Sequence, residues 1–167
     1  MRLQKGHRKA FMGLIEGNKG IIHKIALIFS ETLHDKEDLY QEICFQLWRS
    51  HGNYRGDAKL STWLYRVALN TAISSVRTKK RNVETVELIP EKHYQIKDPE
   101  KDEMTANLFK AIGLLQNIDR AIILLWLEEK NYEEISEITG LTKSAVSVRL
   151  VRVRKKLEEI LKRIENE

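Results

Sequence analysis

Cysteine and proline are scarce in this chain, with one and two respectively among 167 residues, and each scarcity excludes something. A single thiol, Cys44, allows no intramolecular disulfide, and at an apolar helical position it reads as a small core residue. With two prolines and 8 glycines, the turn residues that an all-β chain needs every few positions are missing. The expected fold class is therefore all-α. Long hydrophobic runs are missing too. The longest, AIILLWL from Ala121 to Leu127, is far too short to span a bilayer. The start, MRLQKGHRKAF, is basic, but neither a long apolar core nor a cleavage site follows it. No membrane insertion is expected, and the default location is the cytoplasm. The five histidines do not stand at ligand spacing with a cysteine or a carboxylate cluster, so no metal site is expected. A phosphate-cradling glycine loop and a Ser/His/Asp set are also lacking. The chain reads as no enzyme, with no cofactor.

What is present is hydrophobic content of 42%, enough for real cores, and a net charge of +5 with a pI near 9.3. The mild basicity hints at a polyanionic partner. The sorting of charge along the chain says more. Between Thr142 and Leu157 stand six basic residues and no acidic one, whereas Glu84 to Glu103 holds seven acidic residues against three basic. This sorting divides the chain into three zones: a helical domain over 1–83, an acidic linker over 84–104 that carries both prolines (Pro90 and Pro99), and a second helical domain over 105–167.

In the first zone the spacing predicts a helix from Lys19 to about Leu33, burying Ile22, Ile25, Ala26 and Phe29. Asp35 is a candidate cap for the next helix, DKEDLYQEICFQLWRS, whose apolar stripe holds Leu39, Ile43 and Leu47 with Tyr40 and Cys44. HGNYRGDAKL reads as a loop, and Ser61 or Thr62 then caps a helix with Leu64, Val67, Ala68 and Ile73 inward. In the last zone a helix forms around Leu108, Ile112 and Leu115, and Asp119 caps a second, very apolar one.

The stretch YEEISEITGLTKSAVSVRLVRVRKKL, from Tyr132 to Leu157, carries the first functional signal. Ile135 and Ile138 point inward, and Glu133, Glu134 and Glu137 outward. Gly140 suits the positive φ that ends a helix, Leu141 fits the corner, and Thr142 is an N-cap for a second helix. This is a helix-turn-helix pattern, in which the second helix enters a major groove. At about 100° per residue, Val146, Leu150, Val153 and Leu157 form one buried seam. Ser144, Ser147, Val148, Val151 and Lys155 lie opposite, flanked by Arg149, Arg152, Arg154 and Lys156. Small groups there can reach base edges, a valine can meet a thymine methyl, and arginines can hold phosphates. The bland alternative is a solvated basic face. Six cations without an acid between them from Thr142 to Leu157, with two valines exposed among them, favour nucleic acid.

A second signal lies in YRGDAKLSTWLYRVALNTAISSVRTKKR. Arg66, Asn70, Ser74 and Arg77 share a helical stripe that Lys79 and Lys80 continue, with Trp48, Tyr54, Trp63 and Tyr65 close in sequence. Aromatics with cations suit single-stranded nucleic acid. Equally, the stripe is ordinary surface. For Trp48 and Trp63 taken alone, the core is the better reading.

Together, DKEDLYQEICFQLWR, YRGDAKLSTWLYRVALNTA and the final helix-turn-helix resemble, in order and across nearly the whole chain, the signatures of bacterial RNA polymerase sigma factors of the extracytoplasmic-function type. The resemblance implies docking on the β′ clamp helices of core RNA polymerase through Asp38, Leu39, Gln41 and Glu42, with the β flap as a further contact. It implies minus-ten promoter contacts, duplex and single-stranded, through Trp63, Arg66, Asn70, Ser74, Arg77, Lys79 and Lys80, with Asn70 at the family's base-contacting position. For the minus-thirty-five duplex it implies Thr142, Ser144, Ser147, Val148, Arg149, Val151, Arg152 and Lys155. Many members are held by an anti-sigma factor clamped between the domains, which makes such a factor a candidate partner. Ser147 stands where the family often has a lysine and Ser136 where it often has an alanine or similar small residue, and neither change threatens the fold. A dimeric helix-turn-helix repressor would explain the last zone but not the STWLYRVALNTA segment. A helical protein-binding module would explain neither the sorted charge nor the aromatics.

Overall fold

The computed structural model describes residues 2–83 and 103–166, and the expected linker over 84–104 lies almost wholly outside them. Among the described residues there are seven helices and no strand. The first half holds α1 (Arg2–Ile28), α2 (Leu33–His51) and α3 (Leu60–Val83). The second holds α4 (Glu103–Gly113), α5 (Asn117–Leu127), α6 (Tyr132–Thr139) and α7 (Lys143–Glu165). Among these residues no helix is long and apolar enough to cross a membrane.

Several helix starts differ from expectation, each for a local reason. α1 begins at Arg2 rather than Lys19 and runs through Gly6, Gly13, Gly17 and Gly20. A mid-helix glycine costs about 1 kcal/mol relative to alanine. Packing outweighs that here: Phe11 is buried and meets the rings of Trp48 and His51 edge-on, with centroids 5.0 and 5.6 Å away. α2 is capped by Thr32, whose hydroxyl accepts from the Asp35 backbone N–H, so Asp35 sits in the first turn instead of at the cap. α3 starts at Leu60, where the Trp63 N–H already reaches the Lys59 carbonyl. Ser61 and Thr62 are therefore inside the helix, and Thr62 is buried. α5 starts after Gln116 without a side-chain cap, which leaves the Asp119 carboxylate free to pair elsewhere.

The cores follow the periodicity. Ile22, Ile25, Ile43, Leu47 and Leu64 are fully buried in the first half, as are Ile112, Ile122, Ile123 and Leu125 in the second. Burying such a side chain is worth about 1.5–3 kcal/mol. The two sets are one cluster, continuous from α1 through α3 into α4 to α7. The halves therefore pack against each other, α1 on α4 and α3 on α5 and α6. Polar contacts cross the same boundary. Lys24 Nζ lies 2.5 Å from Glu128 Oε1, and Lys130 Nζ stands 5.4 Å from the centre of the Tyr65 ring.

Candidate nucleic-acid interface

The turn between α6 and α7 is built from local chemistry. Asn131 and Glu134 form a reciprocal capping box at the start of α6. At its end Gly140 has φ 77° and donates its N–H to the Ser136 carbonyl, as expected for a left-handed helix stop. Ser136 Oγ donates to the Leu141 carbonyl at 2.5 Å, which gives this side chain a role in the corner. Thr142 then caps α7, accepting from the Ala145 N–H at 3.2 Å. Val146, Leu150, Val153 and Leu157 are buried, as the spacing requires.

On the opposite side Ser144, Val148, Val151, Arg152 and Lys155 are exposed together. Val148 and Val151 are 51% and 65% exposed, so two β-branched apolar side chains stand in water amid cations. Ser147 is half-buried at the edge of this face. Arg149 turns away from it and pairs with Asp119 of α5 at 2.9 Å. Lys143 pairs with Glu133 of α6, and Arg154 lies over the Trp126 ring, 4.8 Å from its centre. The expectation that the cations of this helix stand without acid partners is therefore corrected: Glu158 and Glu159 lie four residues beyond Arg154 and Lys155 on the same helix, and further carboxylates come from its neighbours. Carboxylates from α5 and α6 reach two of its cations, and spacing along one helix cannot reveal them.

On α3, Arg66, Asn70, Ser74, Arg77, Lys79 and Lys80 are all exposed. Asn70, Ser74 and Lys79 line an open groove of about 570 Å³, whose other wall is Glu42 and Gln46 of α2. Lys79 pairs with Asp35. Burial opposes ionisation of the Asp35 carboxyl, but hydrogen bonds from Lys79 and Thr32 and the ammonium charge prevail and hold it below its ordinary 3.8. Trp63 is half-buried, tilted against Tyr54 with centroids 5.4 Å apart. Arg66 is already engaged, its Nε donating to the Glu137 carbonyl of α6 at 2.7 Å.

Along α2, Asp38, Gln41 and Glu42 are exposed on one face. Leu39 is buried among the core side chains, so it supports that face from beneath rather than forming its surface. The same face continues to two residues that sequence reasoning did not place on it, Phe45 at 55% and Trp48 at 48% exposed. Trp48 thus departs from the core reading. Continuing the i+3/i+4 spacing of Asp38, Gln41 and Glu42 would have found both.

The comparisons agree with this geometry. Residues 14–82 match the family model for Sigma-70 region 2, and residues 106–157 match that for Sigma-70, region 4. The RNA polymerase sigma-H factor of Pseudomonas aeruginosa is 29% identical over 177 residues, covering 96% of this chain and 90% of the relative. The ECF RNA polymerase sigma-E factor of Escherichia coli K12 is 30% identical over 173 residues, covering 94% and 89%. Among solved structures, the sigma factor RpoE in complex with the anti-sigma factor NepR from Bartonella quintana shares the fold. Its TM-score is 0.74 at 21% identity, covering 92% of this chain and 98% of that one. CnrH in complex with the cytosolic domain of CnrY does so with a TM-score of 0.65 at 20% identity, covering 93% and 89%. With both regions present in order around a helix-turn-helix, the chain belongs to the sigma-70 family of RNA polymerase sigma factors, in its extracytoplasmic-function branch.

Proposed function

We propose that this chain binds core RNA polymerase, directs it to promoters by their minus-thirty-five and minus-ten elements, and promotes melting of the DNA. Residues 1–83 carry polymerase and minus-ten binding, 84–104 link, and 105–167 read the minus-thirty-five duplex. The observation that carries the reading is the outer face of α7. Val148 and Val151 are exposed beside Arg152 and Lys155 on a helix introduced by the Gly140 turn. Exposed valines flanked by cations suit a major groove, where the methyls of thymine meet apolar groups and phosphates meet charge.

Each side chain then has a task. Ser144, Ser147, Val148 and Val151 face base edges, Arg152 and Lys155 hold phosphates, and Thr142 fixes the helix that presents them. Arg149, held by Asp119 of α5, meets a phosphate at the edge of this face. On α3, Asn70 reads an unstacked base and Trp63 stacks beside it, while Arg66, Ser74, Arg77, Lys79 and Lys80 follow the strand. Extruding a base costs a few kcal/mol, which these contacts offset. Asp38, Gln41 and Glu42 dock on the β′ clamp helices over Leu39, joined by Phe45 and Trp48, and the second half meets the β flap. The role is non-enzymatic and belongs where the polymerase is, in the cytoplasm. An anti-sigma factor is a further partner, as NepR is for RpoE of Bartonella quintana.

The test is binding of the purified chain to core RNA polymerase, followed by run-off transcription from a promoter library. Tight binding with new, sequence-selective transcripts is the expected result. Duplex binding as a dimer without polymerase binding would replace this reading with a repressor. Within it, Asn70→Ala lowers open-complex yield at least tenfold while polymerase affinity stays within about twofold, measured by fluorescent open-complex and titration assays. Equal loss of both would remove Asn70 from the base-reading role.

A further inference from the structure

Asp119 stands in the first turn of α5, and its Oδ1 accepts a hydrogen bond from Arg149 Nη1 of α7, at 2.9 Å and across 30 positions of sequence. The carboxylate is 15% exposed and the arginine side chain 41%, so one end of the bond is sheltered and the other opens to water. Beside them, Arg152 and Lys156 complete the rim of a pocket of about 190 Å³, with the buried Val153 beneath. The side chains of Arg152 and Lys156 form no ion pair or hydrogen bond among the described residues. Three cations thus face a single carboxylate, and that carboxylate is already engaged.

At about 100° per residue, Arg149, Arg152 and Lys156 fall within about 60° of one another, and their common edge lies about 100° round α7 from the exposed Val148 and Val151. A helix that lays its outer face in a major groove brings such an edge to the sugar–phosphate wall. Arginine grips an oxyanion best through two parallel N–H bonds, so the orientation of its plane matters as well as its charge. A free arginine loses rotamer freedom when it takes that orientation. Arg149 has already given up that freedom to Asp119, and a guanidinium has several N–H donors, so others remain for a second oxyanion. Two effects therefore oppose each other at Asp119. Its negative charge repels a phosphate, while its hold on Arg149 prepares a grip for one. The guanidinium cancels the carboxylate charge at close range, so the hold decides.

We propose that Asp119 is a positioning residue for promoter DNA, fixing Arg149 so that Arg149, Arg152 and Lys156 together hold one backbone phosphate of the minus-thirty-five duplex. The proposal deepens the sigma-factor reading above and rests on it. It gives tasks to Asp119 and Lys156, which lie outside the base-facing stripe of α7. The expected sign runs against simple charge. A more positive pocket should bind DNA more tightly, so charge alone predicts a gain when Asp119 is removed. Positioning predicts that the same change weakens binding and loses one phosphate contact.

The experiment measures the affinity of the full chain, assembled with core RNA polymerase, for a fluorescent duplex that carries a minus-thirty-five element alone. The duplex comes from a promoter recovered by run-off transcription, and potassium chloride is varied. Asp119→Ala is expected to weaken binding about tenfold and to reduce the slope of log affinity against log salt by about 0.9, the value of one phosphate. Asp119→Glu, which keeps the carboxylate, should regain part of that loss. Lys156→Gln should weaken binding and lower the slope in the same direction. With Arg149→Gln already in place, adding Asp119→Ala should cause no further loss, because the aspartate acts through the arginine. A smaller folded fraction would scale affinity alike at every salt concentration and leave the slope unmoved, which tells a merely structural aspartate apart. Tighter binding by Asp119→Ala, an unchanged slope in that variant or in Lys156→Gln, or an equal further loss in the Arg149→Gln background would overturn the inference. A wild-type complex that ignored the duplex would bring down the sigma-factor reading and the phosphate role with it, whereas failure in the variants alone sinks only the role of Asp119 and its pocket.

Discussion

Trp48 stands half in water on α2, with only the edge of its ring against Phe11. A tryptophan left that way on a helix whose neighbouring exposed positions are Gln41, Glu42 and Phe45 is a natural anchor for a partner. Trp48→Ala is expected to weaken core polymerase binding by about 10- to 30-fold, since anchoring aromatics commonly contribute about 1.4–2 kcal/mol. Fluorescence titration measures this, and an unchanged affinity would remove Trp48 from the docking face. Leu39, one turn from Asp35 and inside the core, behaves differently. Its truncation to alanine acts through folding, at about 2–5 kcal/mol, and lowers the melting temperature before it alters any contact with a partner. Two positions on the same helix thus separate binding from stability.

At the scale of the helix-turn-helix, the sharpest constraint is the left-handed backbone at Gly140. A Cβ built there meets nothing within 4 Å, so substitution is opposed by the backbone alone. Gly140→Ala should cost about 1 kcal/mol, and a β-branched residue more. Thermal unfolding reads that cost directly; no change in melting temperature would mean that the turn relaxes at no expense. Much of this element was legible in the sequence, though the Asn131–Glu134 capping box was not read there. Its cap, its glycine stop and its buried seam are all decided within a few residues of themselves. The starts of α1, α2, α3 and α5 were less legible, because a buried Phe11 or an unexpected Thr32 cap outweighs local propensity. The ion pairs of Arg149 and Lys143 were not legible at all, since their carboxylates come from other helices. The candidate site shows the same division. The exposed stripes of α3 and α7 can be read from helical spacing, but Arg66 meeting Glu137, 71 positions away, has no local signature.

For the whole molecule, Tyr65 reports on how the halves meet. It sits on α3, and burial first, then the carboxylates Glu128 and Glu134 of the second half, push its phenol up to about 12. The folded state therefore holds the proton where the unfolded chain, with an ordinary value near 10, has lost it. Proton binding is then greater in the folded state, so stability falls as pH rises from about 10 towards 12 and is unaffected below that window. Denaturant midpoints measured across that range should decline more steeply for the wild-type chain than for Tyr65→Phe. Parallel declines would show that the Tyr65 phenol ionises alike in both states.

The contacts between the two halves join residues up to 104 positions apart, Lys24 to Glu128, and that separation has a meaning in time. A ribosome adding roughly 5–20 residues per second needs several seconds to pass from the end of α3 to Glu128. Throughout that interval the first half is finished and Arg66 has no Glu137 to meet. Each newborn chain therefore passes through a brief stage in which its first half stands alone, and the contacts of Lys24 and Arg66 with the second half are acquired only late in synthesis.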